Sequence, residues 1–288
     1  MTAFTLEFDR YKLELGSRTC IMGILNATPD SFSDGGRFNR FDTAVAQGLK
    51  LAKDGAHILD IGGESSRPFA PPVSENEEMD RVIPVIEALV KEISIPISID
   101  TVKSVVARHA LDAGASMIND ITAFEKDPAM AGLAAERQAP VILMHMKGTP
   151  ETMQVNPDYD DLMTEITVYL ASRADYAIRK GIKKENIILD PGIGFGKTVE
   201  HNLVLLNQLE KITALGFPVL VGPSRKSFIQ KLLSEKEKTP PGPDHIRTEY
   251  GTLAAVAVSL MKGAHIVRVH DVEKVKPFTH ILDSIRNA

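Results

Sequence analysis

The stretch Asp54-Gly-Ala-His-Ile-Leu-Asp60 places a glycine between a helical segment and an apolar strand. Glycine adopts the left-handed conformation at little cost, so it ends a helix and turns the chain into the strand. The same order recurs at three other places, namely Asp112-Ala-Gly-Ala-Ser-Met-Ile-Asn119, Arg179-Lys-Gly181 before Ile187-Ile-Leu-Asp190, and Lys262-Gly-Ala-His-Ile-Val-Arg268. The repeat predicts a unit of helix, turn and strand that is used several times.

This rhythm predicts eight strands, near residues 20–26, 57–62, 96–100, 116–121, 140–146, 186–190, 217–222 and 265–270. Between them, apolar residues recur at helical spacing, as in Ile83, Ile86, Val90 and Ile93 and in Leu162, Ile166, Leu170 and Ala174. Continuous apolar strands that alternate with helices are typical of parallel sheets covered on both faces. We therefore expect an α/β fold, a (β/α)8 TIM barrel, with an open doubly wound sheet as the alternative.

The first residues fall outside this repeat. Phe4, Leu6 and Phe8 alternate with polar residues, and so does Lys12-Leu-Glu-Leu15, which predicts an N-terminal β-hairpin over residues 1–18 at the barrel bottom. No linker of low complexity divides the chain, so we expect a single barrel domain over residues 1–288. The longest breaks are 30–41, 64–75, 147–158 and 235–247, and we expect the first three, which follow strands, to cover a site at the rim.

Composition limits the classes of function. A net charge of −5 argues against a general nucleic-acid surface, which needs a basic field. No apolar run approaches the roughly 18 residues of a membrane span, and the first residues lack the charged start and apolar core of a signal peptide. The single cysteine, Cys20, lies in an apolar run, so we expect a core thiol and a reducing, cytoplasmic location.

Polar residues end three of the predicted strands. Asp100, Asn119 and Asp190 each follow an apolar run, and the strand ends of a parallel barrel meet at one rim. A single residue of this kind is commonly the N-cap of the next helix. Three around one rim favour recognition of a flat heterocycle with several N–H donors, because a carboxylate matches such an edge with two hydrogen bonds.

Two loops offer donors or acceptors for an anion. Asn26 ends the first barrel strand, where its oxygen suits a metal or phosphate, and Phe32 is placed to cover an aromatic ligand. After the second strand, adjacent glycines allow close approach of a ligand, and Ser66 and Arg67 supply donors for phosphate oxygens. Both stretches also fit ordinary turns.

The last two strands lead into cationic groups. We expect a helix to begin at residue 223 or 224, with Lys226 and Ser227 in its first turn, where free N–H groups and the helix dipole favour an anion. Arg268 and His270 lie two residues apart on the last strand, so they share one face of it. A solvated lysine and a structural histidine are the alternatives.

The stretch Asp190-Pro-Gly-Ile-Gly-Phe-Gly-Lys-Thr198 looks at first like a phosphate-binding P-loop. Its spacing fails, because the first glycine of that motif would fall at Pro191. We therefore expect no nucleoside triphosphate here, and we expect Phe195 to offer a stacking surface.

Seven motifs follow one another along the chain, namely Met22-Gly-Ile-Leu-Asn-Ala-Thr-Pro-Asp-Ser-Phe-Ser-Asp-Gly-Gly36, Asp60-Ile-Gly-Gly-Glu-Ser-Ser-Arg-Pro68, Ile99-Asp-Thr101, Ile118-Asn-Asp-Ile121, Leu189-Asp-Pro-Gly-Ile-Gly-Phe-Gly196, Ser224-Arg-Lys-Ser227 and Arg268-Val-His270. Together they resemble the dihydropteroate synthase family over nearly the whole chain. The resemblance implies a TIM barrel that joins 4-aminobenzoate to (7,8-dihydropterin-6-yl)methyl diphosphate and releases diphosphate with Mg²⁺, in tetrahydrofolate biosynthesis. It also implies a homodimer and inhibition by sulfonamides.

The resemblance further implies roles for single residues. The pterin would be bound by Asp100, Asn119, Ile121, Met144, Asp190, Phe195, Lys226 and Arg268. The diphosphate would be bound by Asn26, Ser66, Arg268 and His270, with Asn26 also reaching the metal ion. The 4-aminobenzoate would be bound by Phe32, Arg67, Pro68, Phe195, Lys226 and Ser227. Catalysis would involve Asp34, Asp100, Lys226 and Arg268, with early loss of diphosphate and no enzyme nucleophile.

Two positions depart from the family pattern. Ser66 stands where threonine is common and keeps the hydroxyl, and Phe69 stands where glycine is common, which bears on the path of the second loop and on sulfonamide affinity. Two alternatives share the barrel. A pterin-binding methyltransferase, passing a methyl group from methyltetrahydrofolate to a corrinoid protein, would not need Arg67 or the stretch from Ser224 to Ser227. A non-catalytic pterin-binding protein should have lost charged rim residues, and none is missing.

Overall fold

The strands of the computed structural model follow the predicted rhythm. It describes residues 2–28, 37–65, 70–234 and 240–288, with the backbone alone for 37–40. The strands are β1 Phe4–Phe8, β2 Tyr11–Leu15, β3 Cys20–Asn26, β4 Ile58–Gly62, β5 Ile97–Asp100, β6 Met117–Asp120, β7 Val141–Met144, β8 Ile187–Asp190, β9 Leu220–Val221 and β10 Ile266–Val269.

Eight of these strands form one parallel sheet, in the order β8-β7-β6-β5-β4-β3-β10-β9. A parallel bridge between Leu189 and Val219 joins the two ends of that order. The Leu189 N–H donates to the Pro218 carbonyl there, at 2.9 Å. The sheet therefore closes on itself, and the predicted TIM barrel is confirmed over the open sheet.

Helices follow the barrel strands and cover them. They are α1 Arg37–Asp54, α2 Glu75–Glu92, α3 Ser104–Asp112, α4 Ala129–Arg137, α5 Leu162–Arg179, α6 Val199–Asn207, α7 Glu210–Thr213, α8 Ser227–Ser234, α9 Ile246–Met261 and α10 Val272–Arg286. None of the described helices is long and apolar enough to cross a membrane.

Three details differ from the expectations. Helix α1 begins at Arg37, inside the break expected over 30–41. The strand expected over 217–222 shrinks to two residues, because Pro218 has no N–H to donate to a ladder. Helix α2 buries a stripe shifted from the expected one, namely Val82, Val85, Ile86 and Leu89. The stripe expected on α5 is confirmed, since Leu162, Ile166, Leu170 and Ala174 are all buried.

The bottom of the barrel is covered by the predicted hairpin. Strands β1 and β2 pair antiparallel, with Phe8 opposite Tyr11 at the turn. Leu6, Phe8 and Leu15 of the hairpin pack in one cluster with residues of the barrel strands, namely Cys20, Met22, Ile58, Met117, Ile142, Ile188, Leu220 and Ile266. Period-two geometry alternates side chains between the two faces of a strand, so the same strands present other residues to the helices. The N-terminal end is thus sealed by apolar contacts.

Candidate active site

Four neighbouring strands bring the predicted rim residues into register. Asn26 pairs with Gly62, Gly62 pairs with Asp100, and Asp100 pairs with Asn119. These residues are the last or next-to-last of their strands, so their side chains reach the same level of the barrel mouth. Asn119 is 4% exposed, whereas Asn26 and Asp100 are half-buried. The arrangement places an amide, a carboxylate and a second amide around one side of the opening.

Arg268 lies in the middle of this opening and is held by two carboxylates. Its Nε donates to Asp60 Oδ2 at 2.6 Å, and its Nη2 donates to Asp100 Oδ2 at 2.7 Å. Asn119 Nδ2 donates to the same Asp60 oxygen at 2.9 Å. Charge-assisted hydrogen bonds of this length are among the stronger ones in proteins. The guanidinium plane is therefore fixed across the barrel mouth.

Asp60 is the residue at this site to which the sequence analysis assigned no role. It is fully buried, and its Oδ1 has no hydrogen-bond donor among the described residues. The predicted site residues stand at strand ends, whereas Asp60 stands two residues before the end of β4. A signal was present nonetheless, because a carboxylate inside an apolar strand, on the same face as Gly62, must find a partner in the barrel.

Burial shifts the pKa values of three residues at the barrel mouth, namely Asp100, Asp190 and Lys226. It raises the pKa of Asp100 to about 7, although Arg268 acts in the opposite direction. It raises the pKa of Asp190 to about 6, opposed by the Gly192 N–H and the Lys226 charge. Burial and the Arg268 charge lower the pKa of Lys226 to about 8. Groups with pKa values displaced in this way cluster at functional sites.

An apolar wall stands beside these charges. Phe195, Met144 and Met153 are buried together, with Ile121 packed against them. The ammonium of Lys226 lies 3.8 Å from the centre of the Phe195 ring, which is a cation–π contact. The predicted residues Ile121, Met144, Phe195 and Lys226 are thus brought together. A flat ring suits the space between such a wall and the carboxylates.

The capping alternative for the strand-end residues is wrong. The N-cap positions of α3, α4 and α6 are held by Lys103, Pro128 and Thr198. Asp190 instead accepts from the Gly192 N–H at 2.7 Å and remains at the mouth of the barrel. None of the three strand-end residues is therefore needed to begin a helix.

The loop after β9, which holds Ser224, Arg225 and Lys226, contacts His270 just after β10. Ser224 Oγ and His270 Nδ1 are 3.0 Å apart, and Ser224 Oγ also accepts from the His270 N–H at 3.3 Å. Helix α8 begins at Ser227, later than expected, since Arg225 has a φ of +59° and is tied down by Glu249, 2.8 Å from its Nε. Ser227 is exposed at the first position of the helix.

Several predicted site residues lie outside the described residues. They are Phe32, Asp34, Ser66, Arg67 and Pro68, together with Phe69. Their roles stay predictions, as do those of the loops over 29–36 and 66–69.

A metal ion at this site would be held mainly by the phosphate oxygens of a bound substrate and by few protein side chains. Within the described ranges, no group of three or more His, Cys, Asp or Glu side chains is placed to bind a metal. Mg²⁺ commonly takes only one or two protein ligands together with the phosphate oxygens of a substrate. The half-buried carboxamide of Asn26, at the end of β3, fits that kind of site.

Sequence comparison finds related proteins along most of the chain. The model of the family described as "Pterin binding enzyme" matches residues 22–270. The dihydropteroate synthase of Synechocystis sp. is 50% identical over 94% of this chain and 91% of its own. The dihydropteroate synthase of Bacillus subtilis is 47% identical over 96% of this chain and 91% of its own.

Structure comparison gives the same neighbours. The Xanthomonas albilineans dihydropteroate synthase with 4-aminobenzoic acid superposes with a TM-score of 0.91, at 41% identity and over 100% of both chains. The same enzyme with 7,8-dihydropteroate gives 0.84, at 40% identity and over 96% and 97%. The Yersinia pestis dihydropteroate synthase with a sulfonamide drug gives 0.90, at 41% identity and over 99% and 100%.

Proposed function

We propose, since the chain belongs to the dihydropteroate synthase family of pterin-binding enzymes, that its barrel joins (7,8-dihydropterin-6-yl)methyl diphosphate to 4-aminobenzoate. The family, the barrel and the transferase activity predicted from the motifs are confirmed. The observation that carries the assignment of residues is the Arg268 guanidinium, held between Asp60 and Asp100 where four strands end.

The pterin is bound on the side of the carboxylates. Asp190 and Asp100 present acceptor oxygens to the N–H edge of the heterocycle, and Asn119 adds an amide. Hydrogen bonds from donors to ionised carboxylates are worth about 1.5–3 kcal/mol each. Met144 and Ile121 line one face of the ring, and Arg268 covers the other. Acceptors and a cation around one flat cavity favour a ring with a guanidine-like edge.

The diphosphate is bound on the side of the cations. Arg268 and His270 share one face of the last strand and its end, and Asn26 lies on the neighbouring strand β3. Ser66 belongs to the same proposed subsite. Mg²⁺, held by Asn26 and the diphosphate, would supply charge neutralisation of the leaving group. Fixed positive charge beside a departing phosphate is the principal catalytic contribution in this site.

The reaction exchanges one bond for another at the pterin methyl carbon. The bond from this carbon to the diphosphate oxygen breaks, and the diphosphate keeps the electron pair. The positive charge left on the pterin is stabilised by Asp100 and by Asp34. The amine of 4-aminobenzoate then donates its lone pair to the carbon and loses a proton. An enzyme nucleophile has no part in these steps.

The second substrate is bound between the Phe195 ring and the start of α8. Lys226 and Ser227 lie at that start, where N–H groups and the helix dipole favour a carboxylate. Phe32, Arg67 and Pro68 complete the proposed pocket from the other loops. A sulfonamide presents a similar ring and polar head, so it should compete for the same place.

The test is the release of diphosphate by the purified chain. We expect release with both substrates and Mg²⁺ to be accompanied by 7,8-dihydropteroate in the mass spectrum. Sulfamethoxazole should raise the apparent KM for 4-aminobenzoate and leave the limiting rate unchanged. A lower limiting rate with an unchanged KM would mean that the drug binds elsewhere. Absence of the product would refute the function.

The outer surface of α9 bears on the oligomeric state. Tyr250, Val258 and Met261 leave an apolar stripe on α9, exposed by 63%, 42% and 61%. Such a stripe favours a symmetric contact with a second copy of the chain, and Met261→Glu should convert a homodimer to a monomer in sedimentation.

The thiol of Cys20 is free and buried, which suits a reducing compartment such as the cytoplasm.

A further inference from the structure

Lys197 is a buried lysine to which the proposed activity gives no role. It stands in the loop between β8 and α6 and is 2% exposed. Its ammonium group donates to the Phe195 carbonyl at 2.9 Å and to His145 Nδ1 at 3.0 Å, and the His145 carbonyl lies 3.4 Å away. Burial lowers the pKa of Lys197 to about 7. In its ammonium form the side chain has three N–H donors, and these three acceptors match all of them.

His145 is arranged to accept this hydrogen bond. Its ring is 6% exposed and packs edge-on against Tyr169, with the ring centres 5.0 Å apart. Burial, assisted by the Lys197 charge, lowers the pKa of His145 to about 3. The imidazole is therefore neutral near pH 7, and the tautomer with its proton on Nε2 leaves Nδ1 able to accept from Lys197. The two side chains form a matched donor and acceptor inside the protein.

The contact joins two segments that glycines bring close together. Gly192 has a φ of +70°, and a Cβ there would lie 1.9 Å from the His145 carbonyl oxygen. Gly196 has a φ of +64°, and a Cβ there would lie 2.3 Å from the Lys147 carbonyl oxygen. The loop thus lies directly against the segment that follows β7, on both sides of Phe195. Lys197 fixes the Phe195 carbonyl between those two close approaches.

We infer that Lys197 and His145 form a buried latch that holds Phe195, and the Lys226 ammonium on its ring, in the orientation that binds the two substrates. Lys197 is a positioning residue, because it acts through Phe195 and touches neither substrate. The inference rests on the proposed function, since it concerns the same pocket. The contact gives a structural role to Lys197, the lysine that makes this loop similar to a phosphate-binding motif.

A double-mutant cycle tests whether Lys197 acts through Phe195. We expect Lys197→Met and Phe195→Leu each to raise the KM for 4-aminobenzoate about tenfold, with kcat changed less than about threefold. The double variant should be no worse than Phe195→Leu alone, because both changes remove the same orientation. Additive losses, or wild-type constants in Lys197→Met, would overturn the latch. An inactive wild type would instead refute the proposed function.

Variants of His145 and Tyr159 supply the controls. His145→Asn keeps an acceptor near the position of Nδ1 and should stay close to the wild type, whereas His145→Leu should behave like Lys197→Met. Equal constants in these two variants would overturn the latch, even if Lys197→Met does not fold. Tyr159→Phe removes a 2.7 Å hydrogen bond to the Gly196 carbonyl in the same loop and should leave the KM unchanged.

Discussion

The two ends of the barrel are built from the same strands and differ in what those strands present. At the N-terminal end, apolar side chains such as Met22 and Ile58 pack against Leu6 of the hairpin. At the C-terminal end, the same strands and their neighbours present buried charges, with Asp60 and Arg268 in contact. One end can be optimised for packing alone, whereas the other keeps charges that burial disfavours. The difference separates the part of the barrel that stabilises from the part that binds.

Buried polar groups occur at both ends of the barrel. His57 Nδ1 accepts from the Ile21 N–H at 3.0 Å, and His265 Nδ1 accepts from the Val219 N–H at 3.1 Å. Both histidines therefore satisfy backbone donors at the bottom of the barrel and have no proton on Nδ1. At the top, Asp60 Oδ1 is buried without a donor among the described residues. Ser116 Oγ and Asn186 Oδ1, at the N-terminal end, are buried without a partner as well, so what distinguishes the top is that its unsatisfied atom belongs to a carboxylate beside Arg268.

The largest effect should come from Asp60. Asp60→Ala leaves Arg268 with one carboxylate and Asn119 without its acceptor, and breaking a buried ion pair commonly costs about 3–5 kcal/mol. We expect a loss of that size in the free energy of unfolding, measured in urea, together with weaker pterin binding. Asp112→Ala is the control, because its ion pair with Arg137 is exposed and such pairs contribute about 1 kcal/mol or less. Equal losses of unfolding free energy in both variants would mean that the buried contacts of Asp60 contribute no more to stability than an exposed ion pair.

The next effect concerns the apolar end. Leu6 is fully buried under the barrel, and truncating a buried leucine to alanine costs about 2–5 kcal/mol. Leu6→Ala should lower the free energy of unfolding by such an amount while both Michaelis constants stay at wild-type values. Lys12→Ala, on the exposed side of the hairpin, serves as the control and should change stability by about 0.5 kcal/mol or less. A changed KM in Leu6→Ala would show that the two ends are coupled.

A smaller effect is expected for pterin affinity. Asp190→Asn turns one of two acceptors into a donor that faces the N–H edge of the ring, and an unmatched buried hydrogen bond costs about 1–3 kcal/mol. Pterin affinity in calorimetry should fall by about one to two orders of magnitude. The fold should persist, since the Gly192 N–H still finds an acceptor oxygen in the amide. Unchanged affinity would remove Asp190 from the site.

The smallest expected effect concerns how stability changes with pH, and its sign should differ between His265 and Asp100. Burial lowers the pKa of His265, so its contribution to stability is present above about pH 6.5 and is lost as the pH falls. Burial raises the pKa of Asp100 to about 7, so the folded chain holds an extra proton there, and stability falls as the pH rises from about 4 to 7.

Thermal unfolding between about pH 5 and pH 7 compares the two residues. Relative to the wild type, His265→Gln should flatten the rise of Tm with pH, and Asp100→Asn should steepen it. The two changes of slope are expected to have opposite signs. Variants that shift the slope in the same direction would contradict the opposition between the two ends.

The sequence predicts the parts of the molecule that depend on local order. Eight strands, the hairpin and the rim positions of Asn26, Asp100 and Asn119 follow from periodicity, because side-chain direction along a strand is set by its geometry. The stripe of α2 was shifted, since its neighbouring helices and not its own spacing decide which of several apolar residues face the barrel.

Contacts between residues far apart in the sequence could not be predicted from local sequence patterns. Asp60 and Arg268 are 208 residues apart, and only the closed barrel shows that they share a hydrogen bond. Lys197 and His145 are 52 residues apart and meet through two glycine-lined loops. The order of residue types along the chain predicts which positions belong to the site. Which charged side chains contact one another is known only from the three-dimensional structure.

The most direct test measures 7,8-dihydropteroate formation by three purified proteins at a temperature where all are folded. They are the wild type, Asp190→Asn at the charged end and Leu6→Ala at the apolar end. We expect the wild type and Leu6→Ala to form the product at similar rates and Asp190→Asn to lose nearly all activity at substrate concentrations near the wild-type KM. Full activity in Asp190→Asn, or no product from the wild type, would contradict the account.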